Sequence, residues 1–357
     1  LHYCSNRSCT VPAPGCVASL PGSMALQQLL RPSRRMAAAS EAVVERILAS
    51  YSKPGVINLA PGMAHWAPPN HLLEEAMHGS SGYGDCQGEP PLLDALRTKL
   101  EGENCMKMSH REVMVTAGAN QAFVQALLAL CDPGDEVVLF RPYYFSHLVA
   151  LQMLDLRPVF IDCHEQSGMP DLDGLRTKLR QPGSRIRAIV LVSPSNPSGA
   201  VCSNSISRAL QADCLAAGAW LISDEAYEHF TYGGASHHTP EVDDEHSDNI
   251  VNIHTFSKSY GLAAWRLGYL SYPQVLHDAL LKVQDTLPTH ACRASQRLAL
   301  AALQQLGTPW VRERVAGLEP ARALLWEAIA PLCCHEHSLQ KAKQPEGAFY
   351  YWLPLPP

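Results

Sequence analysis

The sequence predicts an α/β fold in which a mainly parallel sheet is sandwiched between helices. From Glu112 onward, short apolar segments alternate with helical patterns of about ten residues or more, which is typical of βαβ units. The apolar segments, such as Ala188–Val192, are nearly continuous, as expected for strands buried on both faces. Apolar residues make up 46% of the 357-residue chain, so the composition supports a sizeable core.

Each predicted element follows from hydrophobic spacing bounded by turn residues. Gly118 opens the first helix, and the turn Asp132–Asp135 separates that helix from the second strand. The predicted strands are Val113–Val115, Glu136–Phe140, Pro158–Ile161, Arg187–Val192, Trp220–Ser223, Ile250–Ile253 and Leu267–Leu270. The predicted helices are Ala119–Leu130, Tyr144–Leu154, Asp171–Leu179, Ile206–Ala217 and His277–Thr286.

The first forty residues differ in composition from the rest of the chain. Residues 1–40 contain no Asp or Glu but four arginines and six serines, which is typical of an organelle transit peptide. A non-native extension before a true start at Met24 or Met36 is the open alternative. We therefore predict a leader at 1–40 and place the protein in the cytoplasm, or in a mitochondrion or plastid if the leader is a transit peptide.

The net charge, the apolar runs and the cysteine spacing exclude several classes of protein. The net charge of −6 argues against nucleic-acid binding through net charge, and the apolar runs are far shorter than the roughly 20 residues of a membrane span. The twelve cysteines are irregularly spaced without a CxxC pair, so they predict reduced thiols and no metal site. We interpret His335–His337 beside Cys333 as a polar loop rather than as metal ligands.

Polar residues follow the predicted strands, and ligands of such sheets bind at the carboxyl ends of the strands. Together they supply an amine, a guanidinium, a carboxylate, two phenols, an amide and an open helix N-terminus. This set suits a phosphorylated, aromatic cofactor that carries an aldehyde. The segments are Gly118–Asn120, Pro142–Tyr144, Ser193–Gly199, Asp224–Tyr227 and Thr255–Gly261, followed by Arg266.

Three motifs in this order resemble a known family. They are Asn-Pro-x-Gly from Asn196, Asp-x-x-Tyr from Asp224, and Thr-x-x-Lys from Thr255 with Arg266 eight residues after Lys258. The pattern is similar to that of fold-type I pyridoxal-phosphate aminotransferases of class I/II, and it covers about residues 55–352. The resemblance implies a large cofactor-binding domain at 67–289 and a smaller α/β domain, incomplete at its carboxyl end, from 41–66 and 290–357.

The resemblance implies a catalytic role for three residues. Lys258 forms the Schiff base with pyridoxal 5'-phosphate and, once freed, moves the proton of the substrate α-carbon. Asp224 pairs with the pyridinium nitrogen and keeps the ring an electron sink. Tyr227 and Asn196 hydrogen-bond the phenolic oxygen of the ring.

The resemblance also implies a phosphate site. The backbone N–H groups of Ala119 and Asn120 begin a helix, where unpaired donors and the helix dipole favour an anion. Thr255 and Arg266 match the hydroxyl and guanidinium that complete the site. Tyr83 resembles the tyrosine that reaches the phosphate from the other subunit, which implies a homodimer.

The remaining carried-over residues lie around the ring and the substrate. Tyr144 is expected to stack on the ring, and His147 resembles the residue behind the carboxylate in the aspartate branch of the family. Gly62 resembles the glycine whose backbone lies near the substrate. His65-Trp66 either lines an apolar side-chain pocket or belongs to a packed loop.

Transamination between an L-amino acid and a 2-oxo acid is the predicted reaction. The alternatives are a C–S lyase of the same fold, since cofactor residues do not separate the two, and an inactive pseudoenzyme. The segments Ile57–Pro69 and Asp224–Tyr232 resemble plant and algal aromatic or methionine aminotransferases, which implies an aromatic or methionine donor.

The resemblance breaks at the carboxyl end. Gly347–Trp352 resembles a strand beyond which family members place the arginine that binds the substrate α-carboxylate. The sequence ends at Pro357, before that arginine. We therefore expect either a fragment of a longer protein or a poorly active chain.

Overall fold

The computed structural model describes residues 32–353 except 42, 52, 58, 60–61, 79–80, 241–247 and 334–343. The α-helices are α1 Arg34–Ala38, α2 Val43–Tyr51, α3 Asn70–Met77, α4 Pro90–Gly102, α5 Ala119–Leu130, α6 Phe145–Met153, α7 Leu172–Leu179, α8 Asn204–Ala216, α9 Phe256–Ser259, α10 His277–Thr286, α11 Arg293–Ala301, α12 Gly307–Ala316 and α13 Glu319–Ile329. The strands are β1 Arg111–Thr116, β2 Glu136–Arg141, β3 Arg157–Asp162, β4 Ile186–Val192, β5 Trp220–Asp224, β6 Ile250–Thr255 and β7 Gly268–Pro273.

The strands form a seven-stranded sheet in the order β1-β7-β6-β5-β4-β2-β3. The neighbours from β6 to β3 are parallel, whereas β7 is antiparallel to both β1 and β6. Six strands therefore run in one direction, and their carboxyl ends meet at one edge of the sheet. Arg266 reaches the same edge because it lies just before the start of the reversed strand β7. The predicted mainly parallel sheet is confirmed.

Helices cover both faces of this sheet, which explains the near-continuous apolar strands. Val137 and Leu139 of β2 pack in the same core as Leu127 of α5, whereas Val138 packs in the core that holds Leu210 of α8. Alternate side chains of a strand point to opposite faces, so both faces of β2 are buried. The predicted sandwich of sheet between helices is confirmed.

Helices α5 and α10 have the predicted bounds, and the other elements predicted from hydrophobic spacing differ only at their ends. The predicted strand Leu267–Leu270 is observed as β7, which begins at Gly268 and continues to Pro273. Arg266 has a left-handed backbone with φ 47°, so extended structure begins only after it. The extra residues of β7 pair with β1, a partner that local spacing does not reveal.

The predicted strand at Gly347–Trp352 is wrong. Gly347 makes a single antiparallel bridge to Thr231, and the next residue, Ala348, has φ 53°. A left-handed residue interrupts extended pairing, so the segment continues as irregular chain.

The division into domains stays a prediction. Helix α11, assigned to the small domain, packs against α3 and α4, and Leu298 shares a core with Leu72 and Leu96. Residues 1–31 of the predicted leader lie outside the described residues. At the end of that leader, the Ser40 backbone donates a hydrogen bond to Oε1 of Gln152 at 2.8 Å.

The described cysteines are free thiols, as predicted, and Cys202 and Cys214 are buried among apolar side chains. The predicted polar loop at His335–His337 lies outside the described residues. Within the part of the chain that is described, no helix is long and apolar enough to cross a membrane.

Candidate active site

A cavity of about 570 Å³ opens at the edge where the parallel strands end. It collects residues from distant parts of the sequence, because the carboxyl ends of several strands meet there. Ten of the predicted site residues line it: Gly62, Ala119, Asn120, Tyr144, Asn196, Asp224, Tyr227, Thr255, Lys258 and Arg266.

The N-terminus of α5 forms one wall of the cavity. Gly118 precedes α5 with φ 85°, a left-handed conformation that favours glycine, and a Cβ there would lie 2.6 Å from Nη2 of Arg266. A Cβ on Gly268 of β7 would likewise lie 2.9 Å from the backbone nitrogen of Ala119. The two glycines therefore let the guanidinium and the first N–H groups of α5 come close together. Nη1 of Arg266 donates to the carbonyl of Ala263 at 3.0 Å, which holds the guanidinium at this wall.

The short helix α9 carries Lys258 into the cavity directly from the buried strand β6. Thr255 caps this helix, since its hydroxyl accepts a hydrogen bond from the Ser257 backbone N–H at 3.1 Å. The Thr255 hydroxyl in turn donates to the carbonyl of Leu267 at 3.1 Å. Ser257 also lines the cavity; it lies outside the predicted site residues, and its position beside Lys258 is the sequence signal that indicates it.

The Lys258 amine lies in a confined position. Its Nζ donates to the carbonyl of Gly62 at 2.5 Å and lies 5.8 Å from the ring centre of Tyr227. Burial and the positive charge of Arg266 lower the pKa of Lys258, and the negative charge of Asp224 opposes them only in part. A larger fraction of this amine is therefore neutral, and able to attack a carbonyl, than for an exposed lysine.

Asp224 ends β5 and is held by a buried histidine. Nε2 of His147 lies 3.1 Å from Oδ2 of Asp224, and both side chains are at least nine-tenths buried. The His147 ring stacks on Phe123 with a centroid distance of 4.0 Å. The other carboxylate oxygen of Asp224 accepts from the backbone N–H of Ala226 at 3.1 Å. The structure thus places His147 behind Asp224, outside the cavity lining.

Tyr227 contacts a residue that the sequence analysis did not select. Its hydroxyl forms a short hydrogen bond with the hydroxyl of Tyr350, which also lines the cavity. Burial raises the pKa of Tyr227 well above its usual value. Tyr350 belongs to the Gly347–Trp352 segment of the resemblance, which was the signal that could have found it.

Three predicted residues lie elsewhere. Tyr83 is 88% exposed and contacts His290 edge-on instead of facing the cavity. Trp66 packs on Phe230 and donates to the Ser259 carbonyl at 3.1 Å, whereas His65 is exposed. The packed-loop interpretation of this pair is therefore the one that the structure supports.

These groups fit a phosphorylated aromatic cofactor. The N-terminus of α5 and Arg266 offer donors that suit an anion, with Thr255 on the same cavity lining, and Gly118 and Gly268 have no Cβ that would crowd these donors. Asp224 and Lys258 lie on the lining of the same cavity and provide a carboxylate and an amine. The donor set therefore matches the phosphate, the ring nitrogen and the aldehyde of pyridoxal phosphate.

Comparisons with known proteins agree with this geometry. The family model of aminotransferase class I and II matches residues 55–357. The chain is 39% identical over 324 residues to the aromatic aminotransferase ISS1 of Arabidopsis thaliana, covering 88% of this chain and 78% of that protein. It is 32% identical to an aspartate aminotransferase of Rhizobium meliloti, covering 83% and 72%.

The fold is similar to that of the Thermus thermophilus aspartate aminotransferase with maleate, with a TM-score of 0.79, 28% identity and coverage of 90% of this chain and 84% of that one. The predicted cofactor is the one that this family uses, and the predicted reaction class is confirmed with it. The chain belongs to the class I and II aminotransferases, which are enzymes that depend on pyridoxal phosphate.

Proposed function

We propose that this aminotransferase transfers the amino group of an aromatic L-amino acid to a 2-oxo acid, with Lys258 as the residue that bonds the cofactor. The observation that carries the proposal is the convergence of Lys258, Asp224 and Arg266 on one cavity beside the N-terminus of α5. The name of the Arabidopsis relative, an aromatic aminotransferase, supports the substrate class.

Lys258 supplies the amine and the proton transfer. When bound, pyridoxal phosphate withdraws electrons from the substrate and makes the proton on its α-carbon acidic. Nζ of Lys258 accepts that proton, and its lowered pKa gives it a larger neutral fraction than an exposed lysine has. Tyr227 and Arg266 flank this amine on the cavity lining.

Asp224 and His147 act together on the cofactor ring. A buried carboxylate needs partners, and Asp224 has them in His147 and the Ala226 N–H. This support orients the carboxylate towards the cavity, where it would bind the ring nitrogen. Thr255, Arg266 and the first N–H groups of α5 would hold the phosphate.

The walls of the cavity favour an apolar or aromatic side chain on the donor. Tyr144, Tyr350 and Val192 supply rings and an aliphatic group. Among the described residues that line the cavity, Lys258 and Arg266 are the cations, and both have roles towards the cofactor. An acidic side chain on the donor would therefore lack a cation of its own in this lining, which favours an aromatic donor.

We extend the proposal to a homodimer with shared sites. Tyr83 is 88% exposed, and Ile57, Leu59 and Met63 near Gly62 are exposed by 86%, 77% and 66%. A second copy that covers this apolar surface would bring its Tyr83 to the phosphate site. Mixing Tyr83→Ala and Lys258→Ala chains tests this, because a mixed dimer holds one site with both residues. Activity above that of either variant is expected, whereas no recovery in proven mixed dimers would contradict the proposal.

The substrate proposal is tested by transamination of the full chain with pyridoxal phosphate. We expect L-phenylalanine, L-tyrosine and L-tryptophan to be better donors than L-aspartate, with L-methionine measured alongside. Lys258→Ala should abolish the reaction, whereas Lys107→Ala, at an exposed position away from the cavity, should leave it unchanged. A preference for L-aspartate would contradict the substrate class, and an active Lys258→Ala variant would contradict the role of Lys258.

A further inference from the structure

The Tyr350 hydroxyl is fixed by two neighbours inside the cavity. It hydrogen-bonds the Tyr227 hydroxyl, and a Cβ on Gly62 would overlap it. The Tyr227 ring is 3% exposed and packs edge-on against Phe349 at a centroid distance of 5.2 Å. The Tyr227 phenol is therefore fixed by its packing, and its contact with the Tyr350 hydroxyl is a built feature of the cavity.

Each of these phenols has one proton to donate. Burial raises the pKa of Tyr350 to about 12 and that of Tyr227 well above its usual value, so both hydroxyls stay protonated near neutral pH. A single proton occupies the bond between the two oxygens. The other proton must point elsewhere. The direction of the hydrogen bond between the two hydroxyls therefore determines whether Tyr227 can donate its proton to a group in the cavity.

We propose that Tyr350 is a positioning residue whose hydroxyl donates to Oη of Tyr227 and thereby turns the Tyr227 proton towards the cofactor. The inference rests on the proposed role of Tyr227 as a donor to the phenolic oxygen of the cofactor. In the reverse arrangement, Tyr227 donates its proton to Tyr350 and has none left for the phenolic oxygen of the cofactor. A donor in a chain of hydrogen bonds is also polarised, which makes Tyr227 a stronger donor than a lone tyrosine.

The test compares the full wild-type chain with Tyr350→Phe, both loaded with pyridoxal phosphate. The visible absorbance of the bound cofactor is titrated with pH, and its dissociation constant is measured by fluorescence. Losing the polarising hydroxyl should raise the apparent pKa of the Lys258-bound cofactor by about 0.5 unit, because a weaker donor leaves the phenolic oxygen more basic. Cofactor affinity should fall about threefold.

Tyr351→Phe is the matched control. The Tyr351 hydroxyl donates to the Arg322 carbonyl at 2.7 Å and lies outside the cavity lining. Removing it should leave both quantities unchanged. In a Tyr227→Phe background, adding Tyr350→Phe should cause no further shift, because the proposed effect passes through Tyr227.

The outcomes separate this inference from the proposed function. If the wild-type absorbance does not depend on Lys258, the role of Lys258 and the inference are both wrong. If it does, and Tyr350→Phe titrates like the wild type, the inference alone is wrong. If Tyr350→Phe does not fold, 3-fluorotyrosine at position 350 keeps the shape and gives a more acidic donor, which should lower the apparent pKa. No change or a rise would then overturn the proposal.

Discussion

A Cβ atom on Gly118 would lie 2.6 Å from Nη2 of Arg266, closer than real side chains approach. The guanidinium therefore occupies the space that a side chain at position 118 would fill. This contact ties the start of α5 to the start of β7, and it places two kinds of anion-binding group side by side.

We predict that Gly118→Ala weakens cofactor binding about tenfold, because the methyl group displaces the Arg266 guanidinium and a charge-assisted hydrogen bond is lost. The dissociation constant of pyridoxal phosphate measures this. Gly183→Ala is the matched control, since Gly183 has φ 81° but nothing within 4 Å of an added Cβ. Both variants place a side chain at a similar positive φ, so equal losses of affinity would contradict the account.

His147→Phe is expected to lower the free energy of unfolding by about 1–3 kcal/mol, because it leaves an oxygen of the buried Asp224 without a partner. The phenylalanine ring at position 147 can still stack on Phe123, so the packing around it is largely kept. Urea unfolding of the cofactor-free chain measures the change. His277→Phe removes a hydrogen bond to Tyr272 outside the active-site cavity and should cost less. The idea fails if the His147 variant is as stable as the wild type.

The lowered pKa of Lys258 predicts how its reaction with aldehydes depends on pH. Burial and Arg266 disfavour the charged amine, so capture of pyridoxal, which has no phosphate, should reach half its maximal rate below the ordinary lysine pKa of 10.5. Arg266→Gln removes a neighbouring positive charge, which raises the pKa of Lys258 and shifts the profile to higher pH. Stopped-flow absorbance gives these profiles.

Arg141→Gln is the control for that experiment, because Arg141 pairs with Asp162 on the exposed edge of the sheet. Its profile should match that of the wild type. A profile for Arg266→Gln that stays in place, or moves to lower pH, would show that the guanidinium does not act on Lys258.

A buried ion pair behind the site predicts how stability depends on pH. Burial raises the pKa of Glu228, but Lys99 at 2.5 Å and the nearby His229 and His254 outweigh it and hold this pKa well below 4.5. Because the folded-state pKa is depressed, the stabilisation is present above the unfolded pKa and is lost as pH falls through the folded pKa.

Lys99→Met should therefore destabilise the protein by about 3 kcal/mol at pH 7, and the difference should shrink in acid as Glu228 is protonated. Urea unfolding at several pH values measures it, and adding Glu228→Gln should recover part of the loss. Arg46→Met, which breaks the exposed pair with Glu41, should change stability by less than about 1 kcal/mol. A Lys99→Met effect that does not vary with pH would contradict the ion-pair explanation.

Much of the sheet and of the cavity could be predicted because both depend on short local patterns. The strand that ends at Asp224 is an apolar run, and the motif around Lys258 follows another such run, so parallel pairing brings them to one edge. The pair of Tyr227 with Tyr350 could not be predicted, since 123 positions separate the two residues and their contact depends on the irregular path after Gly347. The positive φ of Ala348, which creates that path, is a conformation that the residue type does not favour.

The most direct test that Lys258 holds the cofactor is to load the full chain with pyridoxal phosphate, reduce it with borohydride and map the modified peptide by mass spectrometry. The account predicts one stoichiometric label on Lys258, absent from Lys258→Ala and retained in Lys107→Ala. Labelling spread over exposed lysines, or a label of equal yield in Lys258→Ala, would contradict the claim that the amine beside Gly62 and Arg266 holds the cofactor.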